Sequence, residues 1–81
     1  MKVKNEKTVL YGTAIKVADG LKPHRVVLRQ VDDPYQPYVT HMENMQLEDL
    51  ETFVHESFYW GHYFAERTDA EKDFEERSDK F

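Results

Sequence analysis

Residues 58–64 read Phe-Tyr-Trp-Gly-His-Tyr-Phe and place five aromatic rings, including the only tryptophan, within seven positions. Each ring can bury about 150–250 Å², so a chain this short must organise its core around that segment. In a strand, alternation sends Phe58, Trp60, His62 and Phe64 to one face and Tyr59, Gly61 and Tyr63 to the other. The spacing predicts a last strand whose Phe58, Trp60 and Phe64 face helices, with Tyr59 and Tyr63 turned toward a partner. On that expectation Trp60→Ala unfolds the domain, whereas Tyr63→Ala leaves it folded and impairs binding.

The residues before this segment supply the rest of a sheet. Between Thr8 and Ala18, Val9, Tyr11, Thr13, Ile15 and Val17 alternate with Leu10, Gly12, Ala14 and Lys16, which is strand periodicity with β-branched residues. Gly12 marks a bulge or a place where another backbone or a bulky ring comes close. Asp19-Gly20 and Pro23 interrupt the ladder, and His24–Val31 resumes it as the second arm of a hairpin. Asp32-Asp33-Pro34-Tyr35-Gln36-Pro37 is a further turn, followed by a third strand, Tyr38–Glu43.

After Asn44, a candidate N-cap, the period changes. Leu47, Leu50, Phe53, Val54 and Phe58 recur at helical steps, which predicts an amphipathic helix over residues 46–56, with an acidic loop as the competing reading. Beyond the aromatic strand, Thr68 with Glu71 three residues later has the capping-box pattern, so a second helix runs from Asp69 toward Phe81 and docks through Phe74. Asp73–Arg77 and Glu76–Lys80 are spaced as i,i+4 pairs. The expected architecture is a single α+β domain over residues 1–81. It has a small antiparallel sheet (a three-stranded meander plus a fourth aromatic strand) with one or two helices packed on one face, in the order β-β-β-α-β-α.

Charge is divided along the chain. Residues 1–31 hold seven Lys/Arg against Glu6 and Asp19, a surplus of +5, and residues 32–81 hold fourteen Asp/Glu against four Lys/Arg, a deficit of −10, together giving −5. Such asymmetry either steers a charged partner or neutralises itself by folding the two halves together. There is no cysteine, hence no disulfide, thiolate ligand or thiol nucleophile. Residues 1–7 lead into no apolar run of signal-peptide length, and no stretch approaches the roughly 18 apolar residues of a membrane span. A cytoplasmic protein with no membrane contact is expected.

Little in the sequence points to reaction chemistry. His41 and His62 occupy strands that could pair, with Glu43 nearby, but no histidine pair has the short spacing of a zinc site. Their simpler reading is one hydrogen bond each beside a tyrosine hydroxyl. Ser57 and Ser78 lie outside any Gly-x-Ser-x-Gly setting, and three glycines scattered singly make no phosphate loop. Neither an enzyme nor a cofactor or metal site is expected.

Two binding readings remain. In one, Lys16, Arg25 and Arg29 on the first hairpin form a basic face for nucleic acid, against which the acidic balance argues. In the other, acidic residues on the two expected helices, Glu48, Glu51, Glu75 and Glu76, with Tyr59 and Tyr63 as anchors, dock on a basic protein surface. Self-association through an uncovered aromatic face is compatible with both.

Tyr38-Val39-Thr40-His41, then Trp60-Gly61-His62-Tyr63-Phe64, then Ala70-x-x-Asp73-Phe74-x-x-Arg77, resembles small uncharacterised proteins carried by phages, plasmids and other mobile elements. The resemblance lies in the C-terminal half and transfers no functional residue. It implies an accessory role through binding, for example as an anti-defence inhibitor that occupies the nucleic-acid-binding surface of its target.

Overall fold

The computed structural model describes residues 2–4 and 8–81, so Glu6 and Lys7, counted in the charge division above, lie outside the described residues. Its elements are β1 (Lys2–Val3), β2 (Val9–Gly12), β3 (His24–Gln30), β4 (Tyr38–Leu47), β5 (Thr52–Phe64) and α1 (Arg67–Asp79). They form one sheet in the order β1-β5-β4-β3-β2 with the helix lying across one face. Strands β2 to β5 make an antiparallel meander, and β1 adds to β5 in parallel. The α+β class and the meander agree with the sequence. The element order does not, because one helix is present among the described residues rather than two.

The expected helix over 46–56 is instead the hairpin that joins β4 to β5. Leu47 pairs with Phe53, Met45 with His55, and Asn44, the candidate cap, pairs with Ser57 in mid-strand. The turn between them is held by Asp49, whose carboxylate accepts the Glu51 N–H at 2.8 Å. The helical spacing of Leu47, Leu50 and Phe53 was a coincidence of this turn: Phe53 is buried while Leu50 is exposed at its tip. Val54 and Phe53 are β-formers, and long-range pairing with β4 outweighs the local acidic pattern.

β5 is unusually long at 13 residues. Drawn straight it would span about 40 Å, beyond the 38 Å longest dimension of the molecule. Two bulges bend it. Thr40 and Met42 pair with His62 and Tyr59, and Asn44 and Met45 pair with Ser57 and His55, so β5 carries an extra residue at each place. Each extra residue resets which face the following side chains take. Tyr59, His62 and Phe64 therefore share the helix face with Met42, Thr40 and Tyr38, whereas Phe58 and Tyr63 share the opposite face with Glu43 and Val39. The single aromatic face expected for Phe58, Trp60, His62 and Phe64 is split between the two.

Strand β3 is internal and buried on both sides. Val26 and Leu28 point under the helix, and Arg25 and Val27 lie on the other face. The first strand is shorter than its alternation suggested: β2 ends at Gly12, and only an isolated bridge from Lys16 to His24 continues the pairing. A Cβ on Gly12 would stand 2.9 Å from Arg25 Nη1, so glycine is what lets that guanidinium lie across the strand. The helix begins at Arg67, one residue before the expected Thr68 cap, with Glu66 extended at the N-cap and no side-chain cap bond. Ala70, Phe74 and Arg77 give it a narrow docking stripe. Ala70 is fully buried, and the Phe74 ring lies 6.0 Å from that of Tyr11.

Candidate functional site

On the helix face, one carboxylate ties helix to sheet. Asp73 accepts from Thr40 Oγ1 at 2.5 Å, from His62 Nδ1 at 3.0 Å and from Arg77 Nε at 3.4 Å, the last being the expected i,i+4 pair. Burial opposes its ionisation, but the Thr40 and His62 bonds and the Arg77 charge outweigh that and hold its pKa below the usual carboxylate value.

Along the β5 flank of this helix runs a surface that combines aromatic and acidic groups. Trp60 sits at the second bulge with φ of 55°, in the left-handed region that a bulky residue rarely adopts. Its side chain is 74 % exposed. Tyr59 supports it edge-on, with ring centroids 5.0 Å apart. Beside it an apolar groove of about 260 Å³ is lined by Val26, Met42, Trp60, Arg77, Lys80 and Phe81. A second depression on the same flank is lined by Phe64, Asp69, Lys72, Asp73 and Glu76. Phe81 closes the groove by stacking edge-on with His24 at 5.5 Å, while Lys16 Nζ donates to the Phe81 carbonyl at 2.9 Å.

The acidic residues singled out from sequence are not one patch. Glu76 faces the β5 flank and Glu75 the opposite flank, beside Tyr11 and Phe74. Glu48 is ion-paired with Lys4, and Glu51 lies beyond it at the β4–β5 turn. Tyr59 is on the helix face, whereas Tyr63, 56 % exposed, is on the other. Much of the N-terminal basic charge is spent on C-terminal acids, through Lys4–Glu48, Lys22–Glu56 and Arg25–Glu43. The self-neutralising alternative therefore accounts for part of the charge division.

The basic residues are likewise separated. Arg25 and Arg29 share a face, as alternation requires, but Arg25 Nε donates to Glu43 Oε1 at 2.7 Å with both side chains over nine-tenths buried. Arg29 lies on the Phe58 ring, 4.2 Å from its centroid, and Lys16 is on the helix side against Phe81. His41 and His62 cannot converge on a metal, because His62 pairs with Thr40 on the helix face and the neighbouring His41 points the other way. Among the described residues no cluster of three metal-ligating side chains occurs.

The opposite face holds a polar cluster that sequence reasoning missed. Glu43 Oε2 accepts from His55 Nδ1 at 2.8 Å while its other oxygen is held by Arg25. His41 stacks on Phe58 at 4.3 Å, and its Nε2 accepts from Arg29 Nη1 at 3.4 Å. Pairing Glu43 with His55 requires the β4–β5 hairpin, so reading residues 46–56 as a helix hid it.

Burial, reinforced by the charges of Arg29 and Arg77, pushes the His41 pKa from 6.5 down to about 4. The folded state thus refuses a proton that the unfolded chain accepts. Stability is complete above the unfolded value of 6.5 and falls progressively as pH drops from there toward 4. Urea midpoints measured across that window should decline, and His41→Gln should flatten the decline; equal slopes in both proteins would show that His41 is not the group responsible.

No protein-family model, no curated protein and no solved structure matches this chain. No helix among the described residues is long and apolar enough to cross a membrane.

Proposed function

We propose that the protein is a non-enzymatic binding module that docks a basic protein surface along the β5 flank of its helix. Trp60 carries this reading. A left-handed backbone at a bulky residue costs about 1–3 kcal/mol and persists only where the surroundings enforce it. Here the strain holds a tryptophan out in solvent beside an apolar groove. Exposed tryptophans of this kind are the residues that dominate interface energies. Asp69 and Glu76 supply acidic groups beside the anchor, suited to a groove that ordinarily holds nucleic acid, for which the module would compete.

Relative to the expectations from sequence, the anchor moves from Tyr59 and Tyr63 to Trp60, which Tyr59 supports, and of the four glutamates only Glu76 stays beside it. Trp60→Ala should leave thermal stability within about 1 kcal/mol, the norm for an exposed site. Trp60→Gly should be at least as stable as the parent, because glycine carries no penalty at positive φ. Both should weaken a purified complex with a basic, nucleic-acid-handling partner by roughly 30-fold or more, the equivalent of about 2 kcal/mol. Asp69→Lys with Glu76→Lys should weaken it further and reduce its salt dependence. A complex indifferent to Trp60 substitution, salt and these reversals would rule the reading out.

A further inference from the structure

The face away from the helix carries a second site, independent of the docking surface. A cleft of about 190 Å³ opens there, lined by Thr8, Val9, Arg29, Glu43, His55 and Phe58. At about 30 Å³ per water molecule, that is space for one small anion with a few waters.

Arg29 is the centre of it. Its Nε donates to Thr8 Oγ1 at 3.2 Å and its Nη1 to His41 Nε2 at 3.4 Å, and its plane rests over Phe58. Among the described residues no carboxylate lies within ion-pair distance of it. Burial pulls its pKa down, the mark of a cation that has lost part of its hydration. It stays charged nonetheless, because guanidinium does not titrate in proteins. Glu43 acts on it only through space, so the direct partners of this partly desolvated cation are a hydroxyl, a neutral imidazole and a ring, a setting suited to an external anion.

The remaining polar groups suit the same ligand. His55 gives its Nδ1 proton to Glu43, which fixes the ring and leaves Nε2 of that tautomer as a hydrogen-bond acceptor in a cleft-lining side chain. Thr8 accepts from Arg29 and keeps its own hydroxyl proton to donate. Glu43 also lines the cleft, but both its oxygens are engaged, by Arg25 and by His55. Phe58 is covered by His41 at 4.3 Å, by His55 at 4.1 Å and by Arg29, so it is a platform for these groups and not a stacking surface for a base.

We propose that this cleft binds a phosphate group that keeps one proton, with Arg29 and Thr8 Oγ1 donating to its oxygens and His55 Nε2 accepting from its P–OH. Donors arriving from separate elements match the outward oxygens of a tetrahedral phosphate. They match the two coplanar oxygens of a carboxylate less well, since the Nε edge of Arg29 is already taken by Thr8.

The test is an NMR titration of the full chain with inorganic phosphate, phenyl phosphate and acetate at constant ionic strength. Saturable shifts of the His55 ring and Arg29 side-chain signals are expected with both phosphates, and weaker binding with acetate. Arg29→Gln and Thr8→Val should each weaken phosphate binding about tenfold or more, as loss of a bond to a charged group implies. Tighter binding of phenyl phosphate would assign the natural ligand as an organic monoester, and equal binding as free phosphate. No saturable shift, acetate binding as tight as phosphate, or variants that bind like the parent would each overturn the proposal. If Arg29→Gln fails to fold, Thr8→Val at its exposed position decides alone.

Discussion

Glu43→Ala should lower folding stability by about 3–5 kcal/mol, because it removes the carboxylate of a buried ion pair whose two oxygens hold both Arg25 and His55. A domain of this length has roughly 4–12 kcal/mol in total, at 0.05–0.15 kcal/mol per residue, so the loss is a large share of it. At roughly 4–8 °C per kcal/mol, the melting midpoint should drop by about 12–40 °C. The double variant Glu43→Leu with Arg25→Met should recover much of that, since apolar groups of similar size replace a buried pair at little or no cost. Thermal melts of the single and double variants settle the matter. A Glu43→Ala protein within about 1 kcal/mol of the parent would mean that the pair is hydrated in solution.

Leu28→Ala is the second large loss, expected at about 2–5 kcal/mol. Leu28 is 0 % exposed and lies under the helix, across from Thr40 and Tyr11 in the two neighbouring strands. Little can collapse into the space, because Thr40 is fixed by Asp73 on one side. Chemical denaturation should show a reduced midpoint with an unchanged slope, the sign of a destabilised native state. Against this, the modest effect expected for Trp60→Ala gives a sharp internal contrast: deleting the largest side chain should cost less than deleting a leucine.

That contrast shows where sequence reading succeeds and where it stops. Local alternation located β3 and contained β2, which it carried on past Gly12, and the turn residues at Asp19-Gly20 and 32–37 marked the breaks before and after β3. Gly12 was legible as a point of close approach, but the group that approaches is the Arg25 guanidinium and not the backbone or ring that was expected. The spacing of Asp73 and Arg77 gave a real pair. What failed is non-local. Nothing in Leu47, Leu50 and Phe53 announces a hairpin whose tip is exposed, because the pairing partners that stabilise it lie across the turn. The two bulges are equally silent: one extra residue at Glu56 and another at Trp60–Gly61 invert the faces that strict alternation assigns. The Arg25–Glu43–His55 arrangement depends on both the hairpin and a bulge, so it was out of reach from spacing alone.

The bulges have one more consequence. Among the described residues, β1 pairs with β5 only at Thr52 and Phe53, so from Val54 onward the outer backbone of β5 has no neighbouring strand. A flat, unpaired strand of that length, rich in aromatics, would act as a template for adding further chains and so for aggregation. The extra residues at Glu56 and Trp60 break the repeat of free N–H and C=O groups on which an incoming strand would have to align. The outer side of β5 is thereby left to be recognised through side chains, in one bounded contact, and is shielded from open-ended growth through its backbone.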